Sequence, residues 1–434
     1  MKALFALLAI LLTVATVQKT PELEEHSVNY QYSNGQWFDG KKFVKKTMYS
    51  VSGVWVAEKP ANIDSIFDLE NNFILPPFSE VHTHALDGIG HYKKKVEKYL
   101  NDGVFYVKNP NNIKPWTENL KPEINGPSKL DGSFANGGLT STGGHPEILY
   151  EDRIREQVAP YIDNAPRGWF KNKSYFNIDS ERDLNDQWPL IMEGKPDFIK
   201  LYLANSEDIG NTPPATKYSL RKGLHPSLVP PIVKKAHQAG LRVSAHVETR
   251  VDFVTALNAG VDEITHTPGF YLFSKNQLER YRLTKEDAKL AARKGVFVVT
   301  ALLSRNLTED PELMPLVKEM QAFNLSLLSK SKVKIAIGGD HAPSPWAEVL
   351  ALQELDIFSN QEILKMWCEI SPQTIFPNRK LGLFKTGYEA SFIGLEADPL
   401  LDLSSVTKVT RLVKQGHPIE KKIFTPPITT HSPH

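Results

Sequence analysis

The sequence holds one cysteine, Cys368, so no disulfide can form within the chain. Stability must then come from packing or from bound metal. Cys368 sits in EILKMWCEI, which reads as an apolar helix face and points to core packing, not to a nucleophile. GxSxG is also missing, which removes the commonest serine-nucleophile signature. Neither sign of charge dominates: 51 Lys and Arg stand against 50 Asp and Glu. That balance leaves no electrostatic footprint for nucleic acid or an anionic membrane. Long apolar runs are lacking too, except at the start. There MKALFALLAILLTVATV carries Lys2 and an apolar stretch to about Val17. It is too short to span a bilayer comfortably and has the layout of a secretory signal peptide. Residues 1–19 are therefore expected to be a signal peptide. The mature protein would be exported, periplasmic or secreted, with no stable membrane insertion.

What remains is ordinary globular composition, 41% hydrophobic and 23% charged. From His26 to about Asn72, aromatic and β-branched residues alternate with polar ones, punctuated by the turn sequences SNGQ and FDGK. The same texture returns in GLFKTGYEASFIGLEADPL and VTKVTRLVKQGHPI. Residues 26–77 and 378–424 are expected to pair into one composite β-sandwich, leaving 425–434 as a tail. Between them, over residues 78–377, short apolar runs alternate with helical patterns. PPIVKKAHQAG, RVDFVTALNAG and KEDAKLAARKG each end on a glycine, the usual helix stop. The strand candidates FILPPFSEVHTH, GVFYVKN, FANGGLTST, PDFIKLYL, LRVSAHV, VDEITHT, VFVVTAL and KVKIAIGGD suggest a (β/α)8 TIM-like barrel. Two stretches rich in polar residues, 107–136 and 160–195, break the rhythm and read as loops over the barrel mouth.

FSEVHTHALDG places His82 and His84 two residues apart. In an extended chain, residues i and i+2 share a face, so two imidazoles converge on one point, as a shared cation requires. Lys200 lies in DFIKLYL, His246 ends LRVSAHV, His266 ends VDEITHT and Asp340 ends KVKIAIGGD. In a parallel barrel all these strand ends lie on one face, where barrel enzymes keep their active sites. Four imidazoles and a carboxylate suit Zn²⁺, with Mn²⁺, Co²⁺ or Fe²⁺ also compatible. They exceed what one catalytic zinc needs, and two metals would use them better. Each residue has a plainer reading alone: a hydrogen-bonded histidine, a helix cap at Asp340, a surface Lys200.

Taken in order, VHTH, DFIK, SAHVET, ITHTPG and IGGD resemble the metal-binding motifs of the amidohydrolase superfamily. The resemblance covers roughly residues 30–420. It implies that Lys200 is carboxylated on its amine and bridges two ions. It also implies that His82, His84 and Asp340 hold the buried ion, and His246 and His266 the exposed one. Asp340 would take a proton from the attacking hydroxide and deliver it to the leaving nitrogen. GGLTSTGGHP resembles a segment of the imidazolonepropionase-like and prolidase-like subgroup, which places His145 at the pocket as a donor to the carbonyl oxygen; a helix cap is the plainer reading. The dipeptidases of that subgroup often carry a tyrosine after the third motif, where this chain reads HVETR, and Arg250 could stand in for it. His341, beside Asp340, is expected to point away from the pocket. The implied activity is hydrolysis of a linear or cyclic amide in a small molecule or short peptide. Glu248 keeps a mononuclear deaminase or imidazolone hydrolase open. A lactonase or phosphotriesterase would use the same ligands, and a non-catalytic barrel is the least favoured reading. Homo-oligomeric assembly, frequent in that superfamily, stays open.

Overall fold

The computed structural model describes residues 28–87, 92–162, 164–209, 222–272, 274–308 and 310–421. The apolar N-terminal run, His26 and the tail 425–434 lie outside the described residues, as does the far end of the second sandwich segment.

Two parallel sheets carry the middle of the chain. One has three strands in the order Phe78–Glu80, Val104–Asn109, Asp131–Phe134. The other has seven, in the order Tyr175–Asn177, Gly138–Thr140, Ile199–Tyr202, Val243–His246, Glu263–Thr265, Phe297–Val299, Lys334–Ala336. Almost every residue of these strands is buried, as expected where helices cover a parallel sheet. Hydrogen bonds join the two sheets on both sides. Val81 donates to the Ile337 carbonyl at 3.0 Å and Asp340 to the His82 carbonyl at 2.7 Å. On the other side, Asp197 donates to the Phe134 carbonyl at 2.9 Å, just where Asp131–Phe134 runs on toward Gly138–Thr140.

The helices between strands start and stop for local reasons. Arg250–Ala259 and Lys285–Lys294 both open on complete capping boxes, Thr249 with Asp252 and Thr284 with Asp287. Both end at left-handed glycines, Gly260 and Gly295, as the sequence pattern anticipates. The two irregular stretches differ from expectation. Residues 107–136 contain the helix Lys114–Leu120 and the strand Asp131–Phe134. Residues 160–195 contain the strand Tyr175–Asn177 and the helix Glu181–Glu193, capped by Ser180 and carrying Pro189 inside it. That proline and the helix's mostly polar face obscure the helical period in the sequence.

Early and late segments of the described chain enter a third sheet of eight strands. Asn29–Phe38 pairs antiparallel with Phe43–Val51 and parallel with Phe73–Leu75, which pairs in turn with Phe392–Leu395. Tyr32, Trp37, Trp55, Ile74 and Phe392 form its own buried cluster. The rings meet edge to face, with Tyr32 and Phe392 centroids 5.1 Å apart and Trp37 and Trp55 5.5 Å apart. Each such pair adds about 0.5–1.5 kcal/mol beyond the area it buries. The main core lies between the parallel strands and their helices, and Cys368 is packed inside it, where burial pushes its thiol up. Among the described residues, no helix is long and apolar enough to cross a membrane.

Candidate metal centre

The residues that the sequence pattern singles out meet at the C-terminal ends of the parallel strands. The strand Phe78–Glu80 stops before His82 and His84, which follow in a short extended stretch bridged to Asp340 through Thr83. Lys200 lies within Ile199–Tyr202, and His246 ends Val243–His246. His266 follows Glu263–Thr265 with φ 71°, and Asp340 follows Lys334–Ala336 with φ 55°. Left-handed backbone is uncommon at non-glycine residues and strains the chain. Here it turns each strand sharply at the residue that could act as a ligand.

One ligand atom from each of His82, His266 and Asp340 lies within 4.8 Å of the others, as do those of His84, Asp340 and His341. Asp340 Oδ1 is 3.5 Å from His82 Nε2 and 3.3 Å from His84 Nε2. Its other oxygen accepts from the Ser304 hydroxyl at 2.6 Å. The rings of His82 and His266 are 5.2 Å apart, and those of His246 and His266 are 4.7 Å apart. Gly338 allows the approach: a Cβ there would lie 2.6 Å from the His82 backbone nitrogen.

Partners set the free nitrogens. His84 Nδ1 sits 3.0 Å from Asp87 Oδ2, leaving Nε2 toward Asp340. His246 Nε2 sits 3.0 Å from Glu248 Oε1, leaving Nδ1 for another ligand, and Glu248 also accepts from the Tyr271 hydroxyl. The buried Nδ1 atoms of His82 and His266 have no partner. Lys200 is fully buried and donates to Thr265 Oγ1 at 2.6 Å. Glu263, the acid whose charge acts most strongly on it, is already held by Lys108 at 2.9 Å.

Electrostatics follow from burial. Desolvation lowers the Lys200 amine to about 7, against the pull of Glu263. It also lowers His82 to about 4 and takes His246 and His266 well below their usual value. His84 goes the other way: burial lowers it, but Asp87 and Asp340 raise it to about 10. Burial raises Asp340, yet His341 and His82 outweigh that and hold it well below the carboxylate range. The site without a cation thus holds mostly neutral imidazoles around one firm carboxylate, a donor set suited to a divalent ion.

His145 lies beside this group, its ring 5.1 Å from His246 and 5.0 Å from Tyr202, and burial lowers it to about 3. Two sequence expectations fail here. Arg250 opens the helix after Thr249 and is taken up by Asp287, at 2.5 and 3.2 Å, so it does not serve the pocket. His341 stacks on His84 at 4.9 Å and stands 3.6 Å from Asp340, because the turn at Asp340 swings the next residue back over the site. Asp87, Ser304, Tyr202 and Tyr271 are contributions the sequence reading missed. Only Asp87, three residues after His84, had a spacing that could have signalled it.

No family model matches the chain. Among characterised proteins, ochratoxinase of Aspergillus niger is 29% identical over 180 residues, 40% of this chain and 36% of that protein. The match therefore spans about a third of that relative's length. Among solved structures, Aspergillus niger ochratoxinase superposes with a TM-score of 0.69 at 17% identity, covering 90% of this chain and 95% of that one. A Xaa-Pro dipeptidase with bound methionine gives 0.70 at 17%, covering 90% and 100%. A prolidase complexed with N-methylphosphonate-L-proline gives 0.68 at 16%, covering 91% and 100%. These structural neighbours are members of the amidohydrolase superfamily, and the chain shares their fold.

Proposed function

We propose that the chain is an exported, metal-dependent amidohydrolase that cleaves a linear or cyclic amide, dipeptides included. Two divalent ions, zinc in the first instance, would be held by His82, His84, carboxylated Lys200, His246, His266 and Asp340. The observation that carries this reading is the convergence of residues carried by five separate strands, with His82, His266 and Asp340 inside 4.8 Å. The donor chemistry fits, since His82 and His84 both turn Nε2 toward Asp340 Oδ1, at 3.5 and 3.3 Å, and imidazole with carboxylate is a donor set for a divalent ion. The fold part of the proposal is a (β/α)8 barrel over residues 78–377, closed through the Val81–Ile337 and His82–Asp340 hydrogen bonds. A composite β-sandwich from residues 26–77 and 378–424 sits with it.

A bound divalent ion polarises a carbonyl and makes a water acidic enough to react near neutral pH. The chain's own residues supply the rest. Asp340 accepts a proton from the attacking water and returns it to the leaving nitrogen. Ser304 fixes its other oxygen. His145, neutral at physiological pH, donates an N–H to the carbonyl oxygen as charge develops there. Lys200, about half deprotonated at pH 7, can attack carbon dioxide through its neutral amine. An N–C bond forms, one proton leaves, and the carbamate carries a single negative charge.

The test is metal content per chain by mass spectrometry, on wild type and Lys200→Ala, with release of amine from simple amides assayed in parallel. About two ions falling to one or fewer supports the reading. One ion in both proteins removes the bridging role and favours the second reading, a mononuclear deaminase, for which Glu248 against His246 is the supporting contact. No metal and no amide hydrolysis after reconstitution ends the proposal.

A further inference from the structure

Asp340 Oδ1 is a meeting point for three histidines. It lies 3.5 Å from His82 Nε2, 3.3 Å from His84 Nε2 and 3.6 Å from His341 Nε2. The ligand atoms around Asp340 fall into two sets that share only that residue. His82 and His266 complete an inner set, and His84 and His341 an outer one, each within 4.8 Å. The inner histidines are buried. In the outer set the His341 side chain is 63% exposed and that of His84 is 20% exposed. A cavity of about 250 Å³ adjoins the outer set and is lined by all three of its residues.

Local geometry brings His341 there. The left-handed turn at Asp340 swings it back, and its ring lies over that of His84 at 4.9 Å, 22° from parallel. His84 Nδ1 is taken up by Asp87 at 3.0 Å, which leaves Nε2 as its one nitrogen for a metal.

We propose that His84, Asp340 and His341 form a further metal site, which takes a divalent ion when such ions are in excess and thereby slows hydrolysis. Two imidazoles and a carboxylate oxygen suit zinc-like ions and leave a position for water. This outer site is the weaker one. Lys95 and Lys98 line the same cavity, and an ion already held by the inner set repels a second. It therefore fills last. The effect on rate follows from sharing. In the two-ion arrangement proposed above, His84 serves the buried ion. A neutral imidazole has one lone pair, so His84 Nε2 cannot serve the outer ion as well. An ion on Asp340 Oδ1 also occupies that oxygen, while Oδ2 already accepts from Ser304 at 2.6 Å. A carboxylate held at both oxygens is a poor proton acceptor. The effect on rate rests on the amidohydrolase reading; the site itself does not.

The test is titration of zinc sulfate into protein purified with its resident metal, followed by calorimetry and by metal content per chain, on wild type and His341→Ala. Wild type should bind one further ion per chain, and hydrolysis of a simple amide should fall over the same zinc range. His341→Ala should bind that ion at least about tenfold more weakly, because losing a ligand costs no less than losing the group that supports it. It should also keep its rate at zinc concentrations that slow wild type. Its resident metal and melting temperature should match wild type, since the side chain is mostly exposed. No further ion in wild type, or a further ion bound equally well by His341→Ala, would overturn the site. A further ion that His341→Ala loses but that never slows wild-type hydrolysis would overturn the effect on rate. Resident metal, counted before zinc is added, reports separately on the amidohydrolase reading. Protein that holds none and is inert toward amides defeats that reading and the effect on rate with it, while the His341-dependent site stands or falls on the titration.

Discussion

Gly338→Ala should disturb the centre from underneath. The added methyl would lie 2.6 Å from the His82 backbone nitrogen, 2.8 Å from His82 Cβ and 2.8 Å from Val299 Cγ1. Ordinary contacts fall near 3.5–4 Å, so all three overlap by well over half an ångström. The backbone has little room to yield. The Gly338 carbonyl accepts from Ala301 at 2.9 Å, and the flanking residues are tied by Val81–Ile337 at 3.0 Å and Asp340–His82 at 2.7 Å. Overpacking of this kind costs typically 1–3 kcal/mol, and a clash with hydrogen-bonded backbone belongs at about 3 kcal/mol. At roughly 2 °C per kcal/mol in a large domain, the melting temperature should drop by about 6 °C. More telling is the direction of yielding: the methyl pushes His82 away from Asp340, so bound metal should fall too. Gly240→Ala is the control. It forces a non-glycine residue into a left-handed conformation, φ 73°, a strain that Gly338→Ala does not carry, but the added methyl meets nothing within 4 Å. It should lower the melting temperature by about 2 °C, the effect of roughly 1 kcal/mol of strain, and leave metal content whole. If Gly338→Ala melts like wild type and keeps its metal, the close approach is not a constraint. If both variants lose metal equally, the loss reports general destabilisation and the argument fails.

Two further expectations concern the histidines. Glu248→Ala removes the carboxylate that leaves His246 Nδ1 free, and should weaken one bound ion by about 10–100-fold in a chelator competition. Glu248→Gln, which still offers an oxygen, should lose much less, and matching losses in both variants would count against the orienting role. In metal-free protein, His84 has its folded pKa raised from about 6.5 to about 10, so its contribution to stability is complete below about pH 6.5 and disappears as pH rises through about 10. Chelator-treated protein should therefore melt lower at pH 10 than at pH 6, and Asp87→Asn should flatten that slope; an unchanged slope would rule out Asp87 as the cause.

How much of this was legible depended on whether the governing physics was local. The helices after Val243–His246 and Glu263–Thr265 were readable because capping boxes and glycine stops act within a few residues. The cluster was readable because a parallel sheet puts its strand ends on one face. The helix Glu181–Glu193 was hidden by an internal proline. Arg250 misled because its type suggested a carboxylate partner, whereas its place next to the N-cap Thr249 turned it toward Asp287. His341 misled because alternation along a strand fails where the backbone turns left-handed at Asp340. The pairing of His246 with Glu248 needed coordinates, since many acidic neighbours of histidine never touch it.

The sheet shared by early and late strands bears on how the protein can be made. Phe73–Leu75 is bordered on one side by Phe392–Leu395, more than three hundred residues later. Until residues 392–418 leave the ribosome, Trp37, Trp55 and Ile74 have no Phe392 or Val413 against them. A chain interrupted anywhere in the parallel sheets would therefore display an unfinished strand edge and a patch of bare aromatic rings. Those are the features that chaperones and proteases seize on, so the early strands stay exposed to both until Phe392–Leu395 and Val409–Lys414 have been made.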